Sequence, residues 1–200
     1  MYSVQQCSMT GQCKVVVMGH PTKTDRAAIL AAAMKQLETA GAEKLAIRSL
    51  AAMLGLAPNA LYHYFDSLAA LQEALADESR RILLQQMEKA AGRKGPAQAI
   101  RAIAEAYVRF AHERPAIFSL TLRPSGNEGD EDAAHLRSWQ FVLGQVSRLY
   151  DEKRAPEATL ALWAFLHGMT LLKQAGVFGK MKPASSFAFG LEIWIEAAVH

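Results

Sequence analysis

Two short apolar segments separated by a tight turn constrain this fold more than any other feature of the sequence. The first segment, about Ile47 to Leu54, has its apolar residues at helical spacing. Gly55 follows where a left-handed C-terminal cap needs a residue without Cβ. The second segment, about Pro58 to Phe65, opens with a proline, which suits a first helical turn because its missing N–H would have no intrahelical partner there. The sequence therefore predicts two short helices joined by a turn.

The second of these helices is rich in Asn, Tyr and His, where solubility alone would be served by Lys and Glu. Leu61 and Phe65 are its predicted buried side, which leaves the other side chains facing outward. In a helix-turn-helix such a helix enters the major groove, where Asn and His can bond base edges and Tyr hydroxyls can donate to phosphates. An ordinary pair of core helices is the alternative, which four successive ring side chains disfavour. The predicted DNA-contacting residues are Arg48, Ser49, Pro58, Asn59, Ala60, Tyr62, His63 and Tyr64.

This stretch resembles the TetR family of bacterial transcriptional regulators. The matching elements are Ile47-Arg48-x-Leu50-Ala51, Leu54-Gly55-Leu56, and Leu61-Tyr62-His63-Tyr64-Phe65 followed by Asp66-Ser67 and Leu71. The resemblance implies an all-α fold, with an N-terminal three-helix DNA-binding domain and a C-terminal helical domain for ligand binding and dimerisation. Ala46, Ala57 and Leu68 stand where the family usually has Thr, Ser and Lys. We therefore expect weaker phosphate anchoring, or compensation from elsewhere.

Helical periodicity continues over most of the chain. The expected helices run from a cap at Thr24 or Asp25 to Gly41, from Leu68 to Ala91, from Pro96 to Glu113, from Pro115 to near Leu122, from Glu131 to Tyr150, from Pro156 to Ala175 and from Ala184 to Val199. An acidic Pro/Gly/Ser loop is expected over 123–132, and no strand of convincing length is predicted. The expected division is a flexible arm (1–23), a helix-turn-helix domain (24–71) and a helical ligand-binding and dimerisation domain (72–200).

Composition fits a folded soluble protein and charge fits a DNA-binding one, for which the expected location is cytoplasmic. Hydrophobic residues make up 51% of the chain and charged residues 20%, and no apolar run approaches the ~18 to 20 residues that a bilayer span needs. Residues 1–65 contain six Lys or Arg and three Asp or Glu, so the net charge of +3 resides at the predicted DNA-binding end. The HExxH and GxSxG motifs and phosphate-binding glycine loops are absent, so we expect neither an enzyme nor a cofactor.

The last two long helices predict a homodimer. The Pro156 to Ala175 helix is apolar almost all round, which demands burial on several sides, and the final helix makes the same demand. The TetR resemblance implies that these helices pair with their copies, and Trp163, His167 and Gly168 resemble the Trp-His-Gly pattern of one C-terminal subclass. A two-fold dimer would read a palindromic operator. The predicted dimer-interface residues are Leu162, Trp163, Leu166, Phe187, Leu191 and Trp194.

An aromatic cluster in the C-terminal region is the candidate site for a small hydrophobic ligand. Its residues are Tyr107, Phe110, Phe118, Trp139, Phe165 and His167, for each of which simple core packing is the alternative. Together these features predict a homodimeric repressor that a small molecule releases from an inverted-repeat operator. Activation and corepressor action stay open, and a helical carrier or structural dimer without DNA binding is the alternative function.

The first residues leave two further questions open. Cys7 and Cys13 lie there with too few neighbouring ligands for a zinc site, so metal binding is set aside and a redox-sensitive pair remains an alternative. Met9 and Met18 leave open a translation start downstream of the first residue.

Overall fold

The body of the protein is all-helical, as predicted. The computed structural model describes residues 4–7, 13–16, 24–41, 45–123, 134–181 and 183–198. Within these residues lie nine α-helices and a 3₁₀ helix, Ser119–Leu122, that directly follows α6. The helices are α1 Arg26–Ala40, α2 Ile47–Met53, α3 Pro58–Leu61, α4 Leu68–Ala91, α5 Pro96–Glu113, α6 Pro115–Phe118, α7 Ala134–Val146, α8 Ala155–Gln174 and α9 Pro183–Glu196.

Two short strands lie outside this helical body, where we had predicted none. β1, Val4–Cys7, pairs antiparallel with β2, Cys13–Val16, so that Val4 lies opposite Val16 and Cys7 opposite Cys13. Adjacent valines favour extended backbone, which accounts for a strand at this position. The remainder of the predicted 1–23 arm lies outside the described residues, as does most of the predicted 123–132 loop.

The helix ends follow the sequence signals. The Asp25 carboxylate accepts from the Ala28 N–H at 2.8 Å, and the Ser67 hydroxyl oxygen accepts from the Ala70 N–H at 3.0 Å, which caps α1 and α4 respectively. Gly55 has φ +67°, the left-handed conformation expected between α2 and α3. The predicted caps at Asp25 and Gly55 are therefore confirmed.

α4 is the helix around which the others pack. α1, α5 and α7 pack against it, and α6 and the 3₁₀ helix also touch it. α8 contacts α5 and α7, and α9 packs on α8. One continuous core runs from Ile29 in α1 to Ile195 in α9. Because α4 spans residues 68–91 without a break, the predicted boundary at residue 71 falls inside a helix.

Some predicted helix bounds differ from the structure. α3 ends at Leu61 and not near Phe65, although the N–H groups of Tyr64 and Phe65 both still donate to the Leu61 carbonyl. An aromatic run has low helix propensity, which favours this early end. α7 ends at Val146 and continues as turns to Tyr150. Within the described ranges, none of the helices combines the length and apolar character needed to cross a bilayer.

Candidate DNA-binding surface and ligand cavity

α2, the turn at Gly55 and α3 form the predicted helix-turn-helix. Leu61 and Phe65 are buried, which confirms the predicted buried side of the second helix, and Leu50 and Ala51 of α2 are buried as well. Gln36 of α1 donates to the Ser49 hydroxyl at 2.7 Å and so links α1 to α2. The guanidinium of Arg26 lies 4.3 Å from the centre of the Phe65 ring. These contacts hold α2 and the segment after α3 on α1, and the outer side of α3 is left open.

Six of the eight predicted DNA-contacting residues are exposed, Arg48 and Ser49 in α2 and the other four in or just after α3. Arg48, Pro58, Asn59 and His63 are exposed, and 48% of the Tyr62 surface is exposed. Ala60 is half-buried, so only part of its surface is accessible. Ala46 and Ala57, which precede α2 and α3, provide no side-chain cap. An aromatic, amide and imidazole surface beside an exposed arginine has the donors and acceptors that reading DNA requires.

Tyr64, which is half-buried, and Ser49, which is exposed, also make hydrogen bonds within the protomer. The Tyr64 hydroxyl donates to the Thr24 carbonyl at 2.6 Å, and the Tyr64 carbonyl accepts from Arg26 at 2.9 Å. The Ser49 hydroxyl donates to the Ala46 carbonyl at 2.9 Å while it accepts from α1. Tyr64 therefore connects the segment after α3 to the start of α1, and Ser49 connects α2 to α1. The sequence pattern does not distinguish these roles from DNA contacts, because all of these residues are polar and lie in one short run.

A cavity of about 320 Å³ lies in the C-terminal region, between α4, α5, α7 and α8 beside the 3₁₀ helix. Its walls are mainly apolar. The lining residues are Arg80, Leu83, Met87, Ile103, Tyr107, Thr121, Leu122, His135, Leu136, Ser138, Trp139, Val142, Thr159, Leu162, Trp163, Leu166 and His167. A cavity of this size and character suits a small apolar molecule.

Three of the six predicted pocket residues line this cavity, namely Tyr107, Trp139 and His167. Phe110 and Phe118 are fully buried behind it, and Phe118 stacks on the His167 ring with centroids 5.3 Å apart. Phe165 faces α9 and stacks on Phe187 at 5.5 Å. For Phe110, Phe118 and Phe165, the structure thus supports the alternative of core packing.

The polar part of the cavity wall centres on His167. Its Nδ1 is hydrogen-bonded to the Tyr107 hydroxyl, and its ring lies edge-on to Trp163 with centroids 5.9 Å apart. Burial lowers the pKa of His167 and raises the pKa of Tyr107, although a hydrogen bond from Trp163 opposes the latter rise. His167 is therefore a neutral imidazole and Tyr107 a protonated phenol near neutral pH.

Arg80 is a cavity residue that the sequence analysis missed. It occupies a buried position of α4, and its guanidinium bonds Asp77 at 2.8 Å, the Thr121 carbonyl at 3.3 Å and the Arg123 carbonyl. A detectable signal existed, because Arg80 falls at helical spacing with the buried apolar residues Ala76 and Leu83. An arginine at such a position needs partners inside the fold.

An exposed apolar stripe runs along α8 and α9. On α8 it contains Leu160, Trp163 and Leu171, which are related by helical spacing, and on α9 it contains Phe189 and Ile193. Trp163 is 49% exposed and Phe189 69% exposed. Aromatic side chains left open on neighbouring helices indicate a surface that a partner covers.

Of the six predicted dimer-interface residues, only Trp163 belongs to this exposed apolar stripe. Leu162, Leu166 and Leu191 are buried within the single chain. Trp194 donates to the Ala158 carbonyl at 3.1 Å, and Phe187 is stacked within the α8–α9 pair. These five residues pack within the protomer, so the exposed apolar stripe is formed by other side chains.

Comparisons with known proteins agree with this arrangement. The family model for bacterial regulatory proteins of the tetR family matches residues 29–75, and the model for the tetracyclin repressor-like C-terminal domain matches residues 100–193. The uncharacterized HTH-type transcriptional regulator Rv0681 of Mycobacterium tuberculosis is 29% identical over 163 residues, which cover 80% of this chain and 75% of that protein.

Solved structures show the same fold. A protein of unknown function from Rhodococcus sp. RHA1 superposes with a TM-score of 0.75 at 22% identity, covering 89% of this chain and 98% of that one. TetR-Q116A from Acinetobacter baumannii, in complex with minocycline, gives a TM-score of 0.66 at 22% identity, covering 88% and 96%. With a helix-turn-helix in one matched region and a helical C-terminal domain in the other, the chain belongs to the TetR family of DNA-binding transcriptional regulators.

Proposed function

We propose that this regulator is a homodimeric repressor that binds an inverted-repeat operator. It is released from the operator when an apolar small molecule enters the cavity between α4, α5, α7 and α8. One observation carries the proposal. α4 contributes Arg80, Leu83 and Met87 to the cavity wall, and the same unbroken helix starts beside the helix-turn-helix at Leu68. A ligand that favours a different position of α4 also changes the position of the DNA-binding unit.

The outer side of α3 is the proposed DNA-reading surface. Asn59, Tyr62 and His63 provide the base and phosphate contacts, with Arg48 of α2 as a phosphate contact. Each protomer presents only a few such side chains, so useful specificity requires two copies on two half-sites. This is why we propose a palindromic operator. The proposed location is cytoplasmic, because the protein must reach DNA to act on it.

The exposed apolar stripe of α8 and α9 is the proposed dimer surface. Pairing two copies of this surface would bury Trp163, Phe189 and Ile193, which a lone protomer leaves in water. The full-length Phe189→Glu variant is expected to be monomeric by analytical ultracentrifugation. Val177→Glu is the control, because Val177 is also apolar and exposed but lies in the turn after α8. Two dimeric variants would contradict the proposed surface.

The primary experiment selects duplexes from a random-sequence DNA pool with the full-length protein at stated salt. We expect enrichment of an inverted repeat. The double variant Tyr62→Ala/His63→Ala is expected to lose that enrichment while it keeps its fold and dimeric state. His112→Ala, which changes an exposed histidine of α5, should behave as the unmodified protein. A folded dimer that enriches no sequence would favour the carrier function instead.

The proposed ligand is small and largely apolar, in keeping with the walls of the cavity. The similar Acinetobacter baumannii structure holds minocycline, which supports a small-molecule effector for this fold but leaves its chemistry here to the residues of this cavity.

A further inference from the structure

Trp163 of α8 belongs to two surfaces at once. It lines the cavity, where its ring lies edge-on to His167, and it is also half exposed within the exposed apolar stripe. Leu160, one helical turn earlier, is exposed in the same stripe and does not line the cavity, so the stripe side of α8 faces outward. Among the described residues, Trp163 is therefore the one at which the cavity wall meets the proposed dimer surface.

The spacing of residues along α8 accounts for this position. Thr159 and Leu166 line the cavity from buried positions, whereas Leu160 and Leu171 are exposed and lie outside it. With about 3.6 residues per helical turn, Trp163 falls between these two sides of the helix. Its side chain can therefore contact a ligand within the cavity and a second protein surface outside it.

The stripe suits a second copy of the same chain better than a charged partner. Asp, Glu, Lys and Arg are absent from residues 158–172 of α8 and from residues 183–191 of α9. A two-fold interface brings the same patch of both copies together, and an uncharged patch allows this without like-charge repulsion. Gly168 of α8 supports a close approach, because a Cβ at this position would meet nothing within 4 Å. A glycine inside a helix is destabilising relative to alanine, and packing within the described protomer gives no reason for it.

We propose that the second copy of the dimer forms part of the ligand site. Pairing of the two stripes covers Trp163 and holds its side chain as a closed wall of the cavity, which keeps water away from an apolar ligand on that side. Ligand sites bury most of the surface of a small molecule, so this closure raises the affinity. Ligand binding and dimerisation then strengthen each other by the same factor at each site, as linkage requires. This inference rests on the proposed ligand cavity and dimer surface, and it adds that the site is incomplete in a lone protomer.

The test measures binding of N-phenyl-1-naphthylamine, an uncharged probe whose fluorescence rises in apolar surroundings, to full-length proteins. Leu160→Glu and Phe189→Glu change residues of the stripe that do not line the cavity, so the cavity wall itself keeps its side chains. We expect both variants to be folded monomers by circular dichroism and analytical ultracentrifugation. Each should bind the probe about tenfold more weakly than the unmodified dimer does. Val177→Glu, which changes an exposed residue outside the stripe, should keep both the dimer and the affinity.

A cavity-filling variant shows where the probe binds. Val142 lines the cavity from α7, so Val142→Trp places a larger side chain in the same space. In the dimer, this change should weaken probe binding, whereas binding to an outer surface would not respond to it. Unchanged binding by the Val142→Trp dimer would therefore refute the ligand site.

The other outcomes separate this inference from the proposed repressor function. Monomeric stripe variants that bind the probe as tightly as the dimer would overturn this inference and leave the repressor intact. Stripe variants that stay dimeric would overturn both this inference and the proposed dimer surface. An unmodified protein that binds no probe would refute the ligand cavity. Selection of an inverted repeat is measured separately, so the DNA-binding function is decided by its own experiment.

Discussion

Tyr62 and Tyr64 stand two residues apart, yet the structure gives their hydroxyl groups opposite surroundings. Tyr62 is 48% exposed on the outer side of the helix-turn-helix, whereas the Tyr64 hydroxyl donates inward to the Thr24 carbonyl at 2.6 Å. The matched substitutions Tyr62→Phe and Tyr64→Phe each remove one oxygen and keep the ring. We expect the first to reduce DNA affinity without loss of stability, and the second to reduce stability.

The magnitudes follow from the number of hydrogen bonds lost. A hydroxyl donated to a phosphate, a charged acceptor, contributes about 1.5 kcal/mol, and a dimer contains two copies of Tyr62, so the expected loss is about 3 kcal/mol or roughly 150-fold in Kd. Tyr64→Phe leaves the partly buried Thr24 carbonyl without its donor, at about 1 kcal/mol per protomer and roughly 2–4 °C in Tm. Tyr64→Phe should retain nearly full DNA affinity once it is folded.

Fluorescence anisotropy of a labelled operator at fixed salt measures the affinities, and thermal unfolding at one protein concentration measures the stabilities. The reasoning fails if Tyr64→Phe lowers DNA affinity as much as Tyr62→Phe without any loss of Tm. In that case the Tyr64 hydroxyl would leave Thr24 to contact DNA, and the inward bond would not describe the bound state.

Three further predictions test other contacts. A Cβ on Gly190 of α9 would lie 2.7 Å from the Phe165 ring, whereas one on Gly144 of α7 meets nothing within 4 Å. Gly190→Ala should therefore be less stable than Gly144→Ala by about 1–3 kcal/mol in urea unfolding. Equal stability of the two variants would contradict this packing. The Glu38–Arg114 ion pair at 2.5 Å joins α1 to the end of α5 but is partly exposed, so a double-mutant cycle on thermal stability should give a coupling below about 1 kcal/mol. Burial lowers the pKa of His167 below 6.5, so in the pH range just below 6.5 the unfolded chain binds more protons at this residue than the folded protein does. The free energy of unfolding should therefore fall as pH drops through about 6.5. His167→Phe should show a smaller fall over the same pH range.

Local signals predicted much of this fold because they act over a few residues. Asp25, Gly55 and Pro58 each satisfy a backbone requirement that the neighbouring sequence alone defines. The bounds of α4 and α5 were also predictable, since Ser67 caps one and Pro96 opens the other. The same reasoning identified the helix-turn-helix, whose buried residues recur at helical spacing.

The choice of faces on α8 and α9 was not predictable in this way. Both helices are apolar almost all round, so periodicity does not distinguish the side that packs on the protomer from the side left open. Leu162 and Trp163 are adjacent in sequence, yet one is buried and the other half exposed. Likewise, only packing reveals that Tyr107 lines the cavity while Phe110 lies behind it. These distinctions depend on residues far away in the sequence.

The length of α4 explains how a small change in the cavity can affect DNA binding. Arg80 lies twelve residues along α4 from Leu68, and at about 1.5 Å per residue the two are roughly 18 Å apart. A tilt of roughly 5° about Arg80 would therefore displace the start of α4 by about 1.6 Å, which is well beyond the range of about 0.5 Å over which hydrogen-bond distances vary. In a symmetric dimer both helix-turn-helix units move, so their separation changes by up to twice that amount. The operator fixes the half-site spacing, hence even a modest tilt places both outer surfaces of α3 out of register with the two grooves at once. Arg80 donates hydrogen bonds to the carbonyls of Thr121 and Arg123 at the cavity wall. A ligand that separates α4 from the 3₁₀ helix would therefore tilt α4 about a point close to Arg80.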